Sequence, residues 1–143
     1  MKKIYTIGFT KKSLEDFIDL LKENKIQKVV DIRLNNSSQL AGFAKGRDLK
    51  YALSLVNIDY EHVKELAPDE FTFKEYKENK DWSRYVARFS ELMEERGGKK
   101  ILSELLKDGK TPCLLCSEEK SNKCHRRLVA ELLKEDDIEI IHL

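Results

Sequence analysis

All three cysteines of the chain and one of its three histidines fall in one short stretch, residues 112–127. The apolar run 112–116 predicts a strand, and helical spacing predicts an amphipathic helix over residues 124–134. A cysteine at the end of a buried strand, facing the start of a helix, lies where positive charge stabilises a thiolate. This stretch is therefore predicted to hold a chemically reactive site.

Cys116 is the candidate nucleophile of the stretch. Because side chains alternate along a strand, Cys113 and Cys116 are predicted to point to opposite faces, and Cys113 is interpreted as a core residue. Cys116 ends the strand, and several cationic side chains follow it closely in sequence: Lys120, Lys123, His125 and Arg126. The alternative is that Cys116 is a small buried residue without chemistry.

Four residues complete the candidate constellation. Glu118 and His125 are candidate catalytic groups, and Arg126 is a candidate for binding an anion. Consecutive helical residues diverge by about 100°, so we expect Arg126 to face inward and His125 to point away. Cys124 is interpreted as structural or as a redox partner of the candidate nucleophile. An alternative is that Cys116 and Cys124 share a metal with His125, but such a set lacks the usual fourth ligand of a structural zinc site, so no metal is predicted. No cofactor is predicted either.

Sequence patterns predict the elements that position these residues. Runs of β-branched and aromatic residues predict strands at 3–9, 29–32, 58–62, 112–116 and 138–141. Helical spacing and capping residues predict helices that begin at Ser13, Asp48, Thr72 and Asp81, one more over 101–106, and the last over 124–134.

The alternation of strands and helices predicts an α/β fold. We expect one three-layer domain over residues 1–143, with a mainly parallel sheet of about five strands and helices on both faces. Ligands of such sheets bind outside the carboxyl ends of the strands. The strand exits at 8–10, 31–33, 62 and 116–118 should therefore meet at one edge.

A second group of candidate residues follows the second predicted strand. Asp31 is a candidate catalytic carboxylate, and we expect Arg126 to reach back toward Asp31 or Glu118. Arg33 and the polar loop after it are interpreted as substrate-binding, with three amides as candidates: Asn35, Asn36 and Gln39. These donors favour a polar or anionic small molecule, or a nucleotide-like group, as the ligand.

Charge and composition limit the partners. The 27 Lys and Arg residues against 26 Asp and Glu give a net charge of +1, which provides no global attraction to nucleic acid. A non-catalytic nucleic-acid-binding module is still an alternative to an enzyme, with Lys45, Arg47, Trp82, Arg84 and Arg88 as its residues. No apolar run approaches the roughly 20 residues of a membrane span. An odd number of cysteines argues against a secreted disulfide framework, so a cytoplasmic location is expected.

The strand–Cys–loop–helix layout is similar to that of rhodaneses and cysteine phosphatases. Such phosphatases need an arginine six positions after the cysteine to bind phosphate, and that position is Asn122 here. The loop also carries Glu118 and Glu119, which repel anions. A phosphatase is therefore not predicted, whereas rhodanese-like sulfur transfer or thiol redox chemistry is a weaker alternative.

Three short motifs resemble the domain of unknown function 488 family: Tyr5-Thr6-Ile7-Gly8, Asp31-Ile32-Arg33, and Leu115-Cys116-Ser117-Glu118 followed by Cys124-His125-Arg126. The resemblance covers essentially the whole chain, and the last motif is the specific one. It implies a small α/β domain without a settled activity. The chain departs from the family pattern at Phe9 and Thr10, where His and Ser are usual, and at residues 35–38 and 66–68.

Overall fold

A five-stranded, fully parallel sheet forms the centre of the computed structural model, which describes residues 2–36, 45–118, 121–134 and 136–143. The strand order is β3-β2-β4-β1-β5. The strands are β1 (Lys2–Gly8), β2 (Lys28–Asp31), β3 (Asp59–His62), β4 (Pro112–Cys116) and β5 (Ile138–His142). The predicted α/β fold is confirmed, while the assignment of residues 1–143 to one domain stays a prediction.

Six α-helices lie in the described parts of the chain: α1 (Leu14–Glu23), α2 (Gly46–Ser54), α3 (Glu70–Asn79), α4 (Trp82–Arg96), α5 (Gly98–Leu105) and α6 (His125–Ala130). Short 3₁₀ turns cover Lys64–Leu66 and Glu131–Leu133. None of these helices is both long and apolar enough to cross a membrane.

Two apolar clusters hold the three layers together. On one face, Phe17 of α1 and Leu49 of α2 pack with strand residues that include Cys113. On the other face, Phe89 of α4 and Val129 of α6 pack with strand residues of the opposite orientation. All five residues of β4 are buried, as expected for a central parallel strand covered on both faces.

Two of the predicted helix starts agree with the structure and two do not. Ser13 and Asp81 cap α1 and α4 through hydrogen bonds from the amides three residues later, as predicted. The prediction for α3 is wrong: Asp69 caps the helix by accepting a hydrogen bond from the Thr72 amide at 2.8 Å, so Thr72 lies inside the first turn. The prediction for α2 is also wrong, because the helix begins at Gly46 without a side-chain cap.

Two later helices also differ from prediction. The helix predicted over 101–106 begins earlier, because α5 starts at Gly98 and ends at Leu105. The helix predicted over 124–134 is shorter, because α6 ends at Ala130 and the chain continues as the 3₁₀ turn.

The connections of β1 and β4 leave the sheet on opposite sides. These two strands are neighbours, and α1, which follows β1, packs on the face opposite to α6, which follows β4. Connections that diverge in this way leave a crevice at the carboxyl ends of the two strands, where α/β sheets bind ligands. The crevice of this protein is the surface over this end of the sheet, where the backbone after Gly8 and the backbone after Cys116 stay hydrogen-bonded to each other.

Candidate functional site

Backbone hydrogen bonds bring three strand exits side by side. The Phe9 amide donates to the Cys116 carbonyl at 3.3 Å, and the Thr10 amide donates to the Ser117 carbonyl at 3.2 Å. On the other side of β4, the Ile32 amide donates to the Leu115 carbonyl at 3.0 Å. The residues after β1, β2 and β4 therefore form one continuous edge around the end of β4.

Asp31 and Arg33 form a buried ion pair on this edge. The carboxylate accepts hydrogen bonds from Arg33 Nε at 2.9 Å, from Nη2 at 2.7 Å and from the Arg33 backbone amide at 3.1 Å. Asp31 is 0% exposed and Arg33 is 4% exposed. Pairing with Asp31 raises the pKa of Arg33, although burial acts in the opposite direction. The pair fixes the guanidinium in one orientation, and the Phe9 ring lies 5.2 Å from it.

Tyr60 is a member of this network that the sequence did not indicate. Its hydroxyl donates to Asp31 Oδ2 at 2.5 Å and accepts from Asn36 Nδ2 at 3.2 Å. Burial and the hydrogen bond to Asp31 raise the pKa of Tyr60 to about 12. Tyr60 therefore connects the carboxylate to the predicted substrate-binding loop.

Cys116 and Cys124 meet at the end of β4, and the structure joins them in a disulfide. Both are buried, with exposures of 1% and 3%, and they belong to the cluster that packs against α4 and α6. Cys113 is a free thiol on the opposite face of the sheet, as predicted, and burial raises its pKa.

His125 faces the end of β2, so the expectation that it points away is wrong. Its Nε2 lies 2.6 Å from the Ile32 carbonyl oxygen, and its ring packs edge-on against Phe89 with centroids 5.8 Å apart. Burial lowers the pKa of His125 to about 4, so the imidazole is neutral near pH 7. Because adjacent residues of a helix point in directions about 100° apart, His125 contacts the end of β2 while Arg126 contacts the ends of β1 and β4. Both side chains therefore lie inside the site.

Arg126 lies against the ends of β1 and β4 and is 1% exposed. Its Nη1 donates to the Glu118 backbone carbonyl and lies 4.0 Å from Cys116 Sγ. A Cβ at Gly8 would overlap both the Glu118 carbonyl oxygen and the Arg126 guanidinium, so the absence of a side chain at Gly8 makes this packing possible. Burial lowers the pKa of Arg126.

The other predicted site residues differ in their exposure and contacts. Glu118 is exposed, and its backbone carbonyl makes the contact with Arg126 that was expected of its side chain or of Asp31. Asn36 joins the network through Tyr60, whereas Asn35 is exposed. Gln39 lies outside the described residues.

Three potential metal ligands converge in the site. The ligand atoms of Cys116, Cys124 and His125 all lie within 4.8 Å of one another. The three side chains come from two segments, the end of β4 and the start of α6. When the disulfide is reduced, these three groups are suited to a single ion of a kind that prefers sulfur and nitrogen.

Three of the five residues considered for nucleic-acid binding engage in other contacts. Trp82 stacks on Tyr85 with centroids 5.2 Å apart. Arg84 pairs with Glu75, and Arg88 lies over the Phe71 ring. In these contacts the Trp82 ring and the two guanidinium groups already pair with other parts of the protein, although a nucleic-acid-binding surface would need them for bases and phosphates. Nucleic-acid binding stays a prediction.

Comparisons with known proteins place the chain in a family. Searches of curated proteins and of solved structures found no significant match. The sequence model of the family described as Domain of unknown function DUF488 matches residues 13–133. This range contains α1 to α6 and three of the five strands, including β2 and β4 with the residues that follow them. Since the match covers most of the chain, the protein belongs to the DUF488 family.

Proposed function

We propose that the protein is an enzyme that acts on a polar or anionic small molecule, or on a nucleotide-like group, at the carboxyl ends of β1, β2 and β4. The observation that carries the proposal is the pair of buried arginines beside the crevice between β1 and β4. Arg33 lies next to Phe9, and Arg126 lies next to Gly8 and Cys116. This crevice is where a parallel sheet with diverging connections binds its ligand.

An anionic ligand fits the charges of this edge. Arginine keeps its charge when buried, and its planar group matches the geometry of carboxylates and phosphates. Arg33 uses Nε and Nη2 for Asp31, so Nη1 is directed away from that carboxylate. We assign Asp31 the role of orienting Arg33, because the carboxylate already accepts four hydrogen bonds from Arg33 and Tyr60.

The proposed chemical centre is the group Cys116, Cys124 and His125. In the reduced protein, the Arg126 guanidinium, 4.0 Å from Cys116 Sγ, stabilises a thiolate. One ring nitrogen of His125 lies within 4.8 Å of both sulfurs, and in the metal-free protein the neutral ring can accept a proton. Glu118 is exposed beside this group and is assigned proton exchange with solvent.

The test is conversion of a defined set of compounds by the reduced protein. Nucleotides, sugar phosphates and carboxylic acids are incubated with the protein, alongside their uncharged counterparts, and quantified by mass spectrometry. We expect conversion of an anionic compound and a loss of about 100-fold or more in Arg126→Gln, the order expected when a charged donor is removed from an active site. Arg84→Gln is the matched control, because Arg84 is exposed and pairs with Glu75 outside the site. Equal rates in Arg126→Gln and Arg84→Gln, or conversion of uncharged compounds alone, would contradict the proposal.

The disulfide between Cys116 and Cys124 favours a second candidate, thiol redox chemistry. In that reaction an external dithiol reduces the disulfide to two thiols and is itself oxidised to a disulfide. Consumption of dithiothreitol with a disulfide substrate, lost in both Cys116→Ser and Cys124→Ser and kept in Cys113→Ala, would identify this activity. Dithiol consumption that continues in the two serine variants would exclude it.

A further inference from the structure

We propose that the reduced protein binds one zinc ion through Cys116, Cys124 and His125, with water or substrate at the fourth coordination position. The role of the fourth position rests on the proposed function, whereas the binding of the ion does not. No metal was expected from the sequence because these three residues lack the fourth protein ligand of a structural zinc site. A site with three protein ligands does not need that residue.

The types and the spacing of the three side chains suit zinc. Thiolate and imidazole are the ligands that zinc prefers, and at a Zn–S distance of about 2.3 Å two tetrahedral thiolates lie about 3.8 Å apart. The two sulfurs and one ring nitrogen of His125 already lie within 4.8 Å of one another. The two sulfurs, which are bonded to each other in the disulfide, must separate to about 3.8 Å when they bind the ion.

The hydrogen bond of His125 prepares its other nitrogen for a metal. A carbonyl oxygen can only accept, so the 2.6 Å contact with Ile32 requires a proton on Nε2. Nδ1 therefore carries the lone pair of the neutral ring. Histidines that ligate metals commonly donate their second ring N–H to a carbonyl or a carboxylate in this way, which fixes the tautomer and the ring orientation.

The backbone spacing of the two cysteines also fits a bridging ion. Their Cα atoms are 7.8 Å apart, whereas most disulfides span about 4.4–6.8 Å. Two sulfurs that share a zinc ion lie almost 2 Å farther apart than two bonded sulfurs, so a metal bridge accommodates the longer backbone separation.

Arg126 provides an outer contact of the proposed site. Its Nη1 lies 4.0 Å from Cys116 Sγ and donates to the Glu118 carbonyl, so it links one ligand to the loop that precedes the other two. Two thiolates balance the charge of one zinc ion, and the guanidinium then adjoins a neutral centre.

The open fourth position is the feature that separates catalytic from structural zinc. Catalytic sites keep three protein ligands and bind water or substrate at the fourth position, where the ion lowers the pKa of the water. This position would give the proposed enzyme an activated water near Arg126, which lies beside Cys116.

Metal binding tests the proposal without any substrate. The protein is reduced, stripped with a chelator and titrated with cobalt(II), followed by zinc. We expect one equivalent of cobalt with a thiolate-to-metal absorption band in the near ultraviolet, and displacement of the cobalt by one equivalent of zinc. Cys124→Ser and His125→Gln should weaken zinc binding by about 100-fold or more, since even outer contacts change the affinity of a site by about 10–100-fold. Cys113→Ala is the control and should bind as the wild type does.

Two outcomes would overturn the proposal. One is reduced, folded wild-type protein that takes up neither cobalt nor zinc. The other is one equivalent of zinc still bound in the Cys116→Ser, Cys124→Ser double variant, which places the metal elsewhere. Because the cobalt spectrum is read on the wild type, the result does not depend on how well the variants fold. A protein that binds zinc but converts no compound would sink the proposed function and leave the metal site standing.

Discussion

Replacing Tyr60 with phenylalanine tests whether the buried carboxylate network holds the ends of β2 and β3 together. The change removes the hydroxyl that donates to Asp31 at 2.5 Å and accepts from Asn36 at 3.2 Å. A hydrogen bond to a charged group contributes about 1.5–3 kcal/mol. Because Tyr60 is only partly buried, water replaces some of this interaction, and we expect a loss of about 1.5–2 kcal/mol in the free energy of unfolding.

This loss is large enough to measure by thermal and urea unfolding. For a chain of this length it lowers the melting temperature by about 4–8 °C. Tyr51→Phe is the matched control, because Tyr51 is 67% exposed, and we expect a change below about 0.5 kcal/mol. A Tyr60→Phe protein with the same stability as Tyr51→Phe would refute the reasoning, since it would show that Asp31 gains nothing from the hydroxyl. If Tyr60→Phe does lower the stability, a double-mutant cycle with Asp31→Asn measures how much of the loss comes from the Tyr60–Asp31 pair.

Three further predictions concern pH, packing and thiol reactivity. The pKa of Tyr60 is about 12 in the folded protein and 10.0 as a free side chain, so its stabilisation is complete below pH 10 and falls away as the pH rises toward 12. Because Tyr60 is only partly buried, unfolding over this range should show an extra loss on the order of 2 kcal/mol in the wild type relative to Tyr60→Phe. Gly8→Ala should destabilise the protein by about 1–3 kcal/mol because the new Cβ overlaps Arg126 and the loop after β4; a melting temperature equal to that of the wild type would contradict this packing. In the reduced, metal-free protein, iodoacetamide should label Cys124 before Cys113, because burial raises the thiol pKa of Cys113. The order is read by peptide mass spectrometry, and the reverse order would be inconsistent with the structure.

The fold was predictable because the local patterns and the tertiary packing agree. Short β-branched runs become strands that are buried on both faces, and Ser13 and Asp81 cap helices where an apolar helical stripe follows. The predicted start of α3 was wrong because two nearby residues, Asp69 and Thr72, can each accept the capping hydrogen bond. Asp69 is close enough to Thr72 to cap α3, so the helix begins one turn earlier than the Thr72 signal indicates.

The site was predictable only in outline. The rule that parallel strands share their carboxyl ends correctly brought Asp31, Arg33 and Cys116 to one edge, although they are far apart in sequence. The partners of these residues depend on register and on side-chain direction, which the sequence does not specify. Tyr60 reaches Asp31 because Asp31 pairs with His62 in the sheet, and Phe9 covers Arg33 by crossing the end of β4.

A crystal structure of the reduced protein with the compound that it converts most rapidly tests the central claim most directly. We expect ligand density at the ends of β1 and β4, with an acidic group of the ligand within hydrogen-bond distance of Arg33 or Arg126. Density on another surface, such as the groove between α4 and α6 lined by Met93 and Leu132, with the strand ends empty, would contradict it.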